Sequence, residues 1–344
     1  MTFPSTADSL DNLSVPSAPR ARNGRFRNPV KMHKMGFFKS LGIMLRFAFD
    51  KPKDTVPTLP IPFHAITQQQ LLAAPDRSLF RLGHSTVLLK LNGNFWLTDP
   101  VFSERASPVQ WAGPQRFHQP PISIDDLPPI KGVILSHDHY DHLDLPTVRA
   151  LVRDQDAPFV VPLGVGAHLR RWQVPESRII ELDWNDSAEI GPLRITATAA
   201  QHFSGRGLRR DGTLWASWVV AGPARKVFYS GDTGYFDGYA EIGAEHGPFD
   251  VALVQIGAYS PSWPDIHMTP EEGVATAIDV RADLLIPVHW ATFNLAMHSW
   301  TEPVDRVWRE AKARGLRLAV PRPGDTIDVD DPAPVDGWWQ ALAG

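Results

Sequence analysis

The chain contains no cysteine. That absence removes disulfide bridges, zinc–thiolate sites and cysteine nucleophiles from the available chemistry, but it fixes no compartment. No segment approaches the roughly 20 consecutive apolar residues of a membrane-spanning helix. The start Met1-Thr2-Phe3-Pro4-Ser5 lacks a charged stretch leading into an apolar run, the mark of a secretory leader, so cytoplasmic residence is the expectation. Positive charge is not in excess: 34 Lys and Arg stand against 38 Asp and Glu, a formal net charge of −4. Such a balance offers no bulk footprint for nucleic acid, which is excluded as an expected partner. No internal repeat stands out.

Apolar residues make up 43% of the 344, with 12 Trp and 17 Phe, ample for a large core and for aromatic-lined surfaces. A chain of this length has room for two domains. The chemistry-bearing residues described below spread from His137 to His289, which favours one catalytic unit. We divide the chain into an N-terminal arm, residues 1–62, and a catalytic domain, residues 63–344. Within the arm, residues 1 to about 30 are rich in Pro, Ser, Asn and Arg and read as flexible or surface-draped. From Lys31 to Phe49 the pattern turns amphipathic: Met35, Phe38, Leu41, Leu45 and Phe49 keep helical spacing among Lys31, Lys34, Lys39 and Arg46. Such a stripe either lies peripherally on a membrane interface or docks on the enzyme's own body, and Gly36 and Gly42 weaken it as a helix.

The catalytic region reads as mixed α/β. Strands are expected at 86–91, 95–98, 133–136, 159–161, 193–199, 227–229, 251–254 and 284–288 from apolar runs and alternation. Thr269-Pro270-Glu271-Glu272 has the order of a capping box, Asp144-Leu145-Pro146 opens a second helix, and Gly315 closes one that begins near Thr301.

The densest chemistry lies in Ile134-Leu135-Ser136-His137-Asp138-His139-Tyr140-Asp141-His142, where His137, His139, Asp141 and His142 fall within six positions after a strand-like run. On a continuing strand His137 and His139 would project the same way, while a turn would carry Asp141 and His142 to a second centre. Imidazole with carboxylate is zinc-type ligation. Three more candidates follow where strands give way to loops: His202, Asp232 in Gly231-Asp232-Thr233-Gly234, and His289.

This pattern resembles the metallo-β-lactamase superfamily. Within it, Leu82-Gly83-His84-Ser85-Thr86-Val87, residues 97–108 from Leu97-Thr98-Asp99-Pro100 onward, and Gly257-Ala258-Tyr259-Ser260-Pro261-Ser262-Trp263 resemble the N-acylphosphatidylethanolamine-hydrolysing phospholipase D family. The resemblance runs from about Phe80 to about Gly315. It implies an αββα sandwich with a metal site at one edge of the two sheets. It also implies two zinc ions, other divalent metals or iron being admitted, with His137, His139 and His202 on one, Asp141, His142 and His289 on the other, and Asp232 bridging. The absence of cysteine excludes the site of those β-lactamases that use a thiolate ligand.

Catalysis is assigned to Asp141, as a ligand of the metals that share a hydroxide, and to His267, which matches a further family histidine and would protonate a leaving group or hold a phosphate oxygen. The activity implied is a phosphodiesterase of phospholipase D type, releasing phosphatidic acid and an N-acylethanolamine-like alcohol. A lactonase or amidohydrolase on the same metals is the alternative, and a non-catalytic metal-binding scaffold is a third reading. Arg206 and Arg209 are candidate phosphate contacts, their alternative being a solvated charged loop. Trp111, Phe117, Tyr259 and Trp263 are candidates for an apolar wall, or else core residues. A homodimer is compatible with the sequence and required by nothing in it.

Overall fold

Short, near-continuous apolar runs give strands whose two faces are both covered. The computed structural model describes residues 17–20, 22–32, 42, 45, 50–207 and 209–342. Most of the amphipathic stripe expected over Lys31–Phe49 lies outside these residues. The elements are α1 (Gln68–Ala73), β1 (Ser78–Gly83), β2 (Thr86–Leu91), β3 (Asn94–Thr98), β4 (Ile130–Ile134), α2 (Leu145–Asp154), β5 (Phe159–Pro162), α3 (Gly166–Arg171), β6 (Ile179–Leu182), β7 (Ser187–Ile190), β8 (Leu193–Thr198), β9 (Ser217–Ala221), β10 (Lys226–Tyr229), α4 (Gly238–His246), β11 (Phe249–Gln255), α5 (Pro270–Asp279), β12 (Ala282–Val288), α6 (Glu302–Arg314), β13 (Arg317–Leu318) and β14 (Thr326–Asp328).

Two seven-stranded sheets result, ordered β14-β1-β2-β3-β4-β5-β6 and β13-β12-β11-β10-β9-β8-β7. In the first, the pairings from β14 to β3 are antiparallel and those from β3 to β6 parallel. The second repeats the pattern, antiparallel from β7 to β10 and parallel from β10 to β13. The two halves are built alike although the sequence shows no repeat, and the late strand β14 completes the first.

Alternation sorts the side chains into layers. On β2, Val87, Leu89 and Leu91 join the core between the sheets while Leu88 joins the outer cluster that includes Val148 and Leu151 of α2. On β11, Val251 and Leu253 belong to the same central core, whereas Ala252 and Val254 join the outer cluster with Val274 of α5 and Val304 and Val307 of α6. Each fully buried Leu or Val contributes on the order of 1.5–3 kcal/mol. The arrangement is the expected αββα sandwich. Among the described residues no helix is long and apolar enough to cross a membrane.

Helix ends follow the sequence signals with one departure. Thr269 and Glu272 form the capping box of α5, and Gly315 closes α6 at φ 69°. Asp144 does not cap α2 with its side chain; its carboxylate is taken by the hydroxyls of Ser103 and Thr147. The described part of the arm is draped on the body. Ala18 and Phe26 enter the central core, with Ala18 N donating to Asp183 Oδ1 at 3.0 Å and Phe26 N to Asp211 O at 2.9 Å.

Candidate metal centre

Buried strands aim their carboxyl ends at one edge of the sandwich, and the loops leaving them carry the polar side chains. Asp99 follows β3, the His137–His142 segment follows β4, His202 follows β8, Asp232 follows β10 and His289 follows β12. One expectation is corrected: β4 stops at Ile134, so His137 and His139 lie in the following loop and strand alternation does not align them. The loop brings them together all the same. The turn holding Asp232 depends on its glycines. Gly231 sits at φ +55°, and a Cβ there would lie 2.6 Å from Ser136 Cβ; a Cβ on Gly234 would meet Asp265 O at 2.0 Å.

The inward atoms fall into two groups. In the first, His137 Nε2 is 2.8 Å from His139 Nδ1, which is 3.3 Å from His202 Nε2. In the second, Asp141 Oδ2 lies 3.4 Å from His142 Nε2 and 3.3 Å from His289 Nε2. Asp232 Oδ2 stands between them, 3.1 Å from His142 Nε2, 3.0 Å from His289 Nε2, and 3.9 Å from both His137 Nε2 and His202 Nε2. Sequence separations of up to 152 residues thus close into one cluster.

Outer contacts fix the rings. His202 Nδ1 donates to Ile266 O at 2.8 Å, leaving Nε2 as the inward lone pair. His142 Nδ1 faces the Asp99 carboxylate, which also accepts from Ser136 N at 2.6 Å and from the hydroxyls of Ser136 and Tyr229. Burial keeps His137 and His202 well below the usual imidazole range, and His139 below it. Burial would also raise Asp141 and Asp232, but His142 beside Asp141, and His142 with His289 beside Asp232, hold both carboxyls well below theirs. For His289 burial is outweighed by Asp232 and Asp141, which push it up to about 9. His142 is likewise raised well above its usual value, by Asp232, Asp141 and Asp99 against burial.

The remaining sequence candidates separate. His267 belongs with the cluster: one of its nitrogens groups with His202 and Asp232 within 4.8 Å, and its Nδ1 is 3.1 Å from Gln255 Oε1. Arg206 is engaged in holding the loop. Its Nη1 donates to Asp138 O at 2.8 Å and Leu143 O at 2.6 Å, with the guanidinium over Tyr140. Arg209 is exposed. Tyr259 is buried, bonds Glu302 through its hydroxyl and stacks on His298, whereas Trp263 is half-buried with Nε1 on Ala258 O at 2.8 Å. Trp111 is 83% exposed and walls nothing. Asp138, in a variable position of the motif, accepts from Gly205 N and faces His168.

Asp99, Gln255 and His84 carry parts of the site that the sequence reading did not assign. Asp99 and His84 stand inside family-like stretches, but only folding shows that they face the cluster.

Comparison with known proteins gives this geometry its context. The family described as Beta-lactamase superfamily domain matches residues 95–290. An uncharacterized protein of Mycobacterium tuberculosis is 53% identical over 261 residues, 75% of this chain and 70% of its own length. The N-acyl-phosphatidylethanolamine-hydrolyzing phospholipase D 1 of Caenorhabditis elegans is 33% identical over 339 residues, 91% of this chain and 94% of that protein. The chain belongs to the metallo-β-lactamase superfamily, in its N-acylphosphatidylethanolamine phospholipase D-like branch. It is accordingly a metal-dependent hydrolase. The crystal structure of isothiocyanate hydrolase from Delia radicum gut bacteria superposes with a TM-score of 0.59 at 21% identity, covering 73% of this chain and 98% of that one. At that identity the likeness is one of fold.

Proposed function

We propose that the chain is a dinuclear, zinc-dependent phosphodiesterase of phospholipase D type, acting on N-acylphosphatidylethanolamine-like phospholipids. In this reading His137, His139 and His202 would hold one ion through the nitrogens named above, Asp141, His142 and His289 would hold the other, and Asp232 would serve both. The observation that carries it is the position of Asp232 Oδ2 within 3.0–3.9 Å of four imidazole nitrogens drawn from both groups.

The donors fit a metal. Tetrahedral ligands at about 2.0–2.1 Å from a zinc ion stand roughly 3.3 Å apart, and the Asp141, His142, His289 and Asp232 contacts given above span 3.0–3.4 Å. Asp232 Oδ1 is buried without a hydrogen-bond partner, at a cost a bound cation would relieve. When bound, such a pair supplies Lewis acidity, bringing the pKa of water towards neutrality and offsetting charge on a phosphoryl oxygen.

The protein's own groups do the rest. Burial pushes His267 down to about 3, so its ring is neutral at working pH. The Gln255 amide is oriented by Nε2 donating to Gly257 O and Met268 O, so its Oε1 accepts the proton on His267 Nδ1. Nε2 of His267 is then an acceptor, suited to a hydrogen bond from the attacking water rather than to protonating the leaving group.

Beside His267 lies a cavity of about 560 Å³, lined by Tyr259, Pro261, Pro264, Met297, Glu302 and Arg306 among others. That volume suits a small-molecule portion of a substrate, and we place the departing alcohol there. The identity to the Caenorhabditis elegans phospholipase supports the lipid class. We also propose residues 1–62 as an arm serving the body at 63–344, supported by the contacts of residues 17–32.

Elemental analysis of gently purified protein tests the metal reading. Close to two ions per chain are expected, and both Asp232→Ala and chelation should abolish turnover. A single ion that added metal cannot raise would overturn the bridging assignment.

A further inference from the structure

His84 stands in the hairpin between β1 and β2, remote in sequence from every candidate ligand, yet its Nε2 is 3.0 Å from Asp141 Oδ2. It groups with Asp141, His142 and His289 within 4.8 Å. Its ring is 1% exposed as a residue, tilted against His289 at 4.0 Å and edge-on to Phe293 at 5.2 Å.

Its backbone is held as firmly. His84 N donates to Thr292 Oγ1 at 2.6 Å, and His84 O accepts from His289 N at 3.0 Å. These bonds tie the hairpin to the loop carrying His289, which Arg81 also holds by donating to Trp290 O at 2.6 Å. His84 adopts φ +50° and His289 φ +63°, left-handed conformations that non-glycine residues keep where surrounding structure enforces them, often at functional sites. Asp141 is ionised and can only accept, so the proton of the contact resides on His84 Nε2.

We infer that His84 is a positioning residue for the second metal: its Nε2–H holds the Asp141 carboxylate so that Oδ2 points at His142 and His289. This rests on the two-metal reading above. His84 itself is not a ligand. Because one residue grips Asp141 with its ring and His289 with its carbonyl, the two ends of the second site move together.

Two substitutions test this. Asparagine accepts a left-handed backbone but is too short to reach Asp141; glutamine keeps a donor near the position of imidazole Nε2. Metal binding is read by equilibrium dialysis against chelator-buffered zinc and by the visible spectrum of the cobalt-loaded protein, with circular dichroism as the check on folding. Wild type should bind two ions. His84→Asn should keep the first and bind the second about 10- to 100-fold more weakly, the range for loss of an outer partner of a metal ligand, with an altered cobalt spectrum. His84→Gln should restore most of the affinity.

If His84→Asn binds both ions as wild type does, the inference fails while the two-metal reading stands. If His84→Gln is as weak as His84→Asn, the histidine acts as a direct ligand and the positioning role is wrong. A wild type that binds only one ion defeats the two-metal reading itself. Should His84→Asn not fold, His84→Gln alone decides: near-native second-site affinity upholds the inference, and its loss overturns it.

Discussion

Loading the metal-free protein with zinc near pH 7 should expel at least two protons, because both cationic imidazoles must surrender their Nε2 positions to the second ion, with up to one more from a metal-bound water. In the metal-free cluster Asp232 and Asp141 outweigh burial to hold His289 up at about 9, and with Asp99 they raise His142. The three histidines of the first group are lowered, so their rings are neutral and release no net proton on binding a metal. A proton held at about 9 weakens apparent second-site affinity at pH 7 by roughly a hundredfold, since each unit between pH and pKa costs about a factor of ten. The affinity should therefore climb steeply between pH 6.5 and 8.5, and less steeply in the His289→Gln variant.

Stability of the metal-free protein should move the opposite way. His289 is raised from 6.5 to about 9, so its contribution is complete below pH 6.5 and lost as pH rises through 9; that shift corresponds to about 3 kcal/mol. Calorimetric titrations in two buffers of different ionisation enthalpy count the protons, and thermal melts with and without chelator follow the stability. No proton release, together with affinity flat in pH, would refute the charge pattern assigned to the cluster.

Replacing His267 with Ala should keep both ions and lower turnover by roughly a hundred- to ten-thousandfold if its Nε2 takes part in proton transfer; full activity would return it to packing. Arg206→Ala should loosen the His137–His142 loop and weaken metal binding, and a rise in KM for a soluble phosphodiester with metal content unchanged would instead make it a phosphate contact. Deleting residues 1–32 should impair soluble and bilayer substrates alike, because Asn28 brackets the backbone of His202, donating to its O at 2.6 Å and accepting from its N at 2.8 Å. Selective loss on bilayers would separate the arm from the site.

The chemistry was legible where residue type and local order coincide. His137, His139, Asp141 and His142 are close because they are near in sequence, and Gly231 and Gly234 mark a turn that no side chain would fit. Eight apolar runs gave eight of the strands. Ser187–Ile190 and Thr326–Asp328 were missed because they are short and only partly buried edge strands, and β1 because it carries the buried Arg81 within its run. Arg206 read as a phosphate contact or part of a solvated loop because a sequence does not show which backbone oxygens fold next to a guanidinium, whereas here two carbonyls and Tyr140 take it. His84 and Asp99 gained meaning only through pairings across 57 and 43 residues, which no local pattern encodes.

The most direct test is to hydrolyse N-acylphosphatidylethanolamine with the zinc-loaded protein in water enriched in heavy oxygen and to analyse the products by mass spectrometry. Attack at phosphorus places the label in phosphatidic acid and none in the N-acylethanolamine. Label in a released fatty acid would mean attack at an acyl carbon, and would contradict the phosphodiesterase assignment.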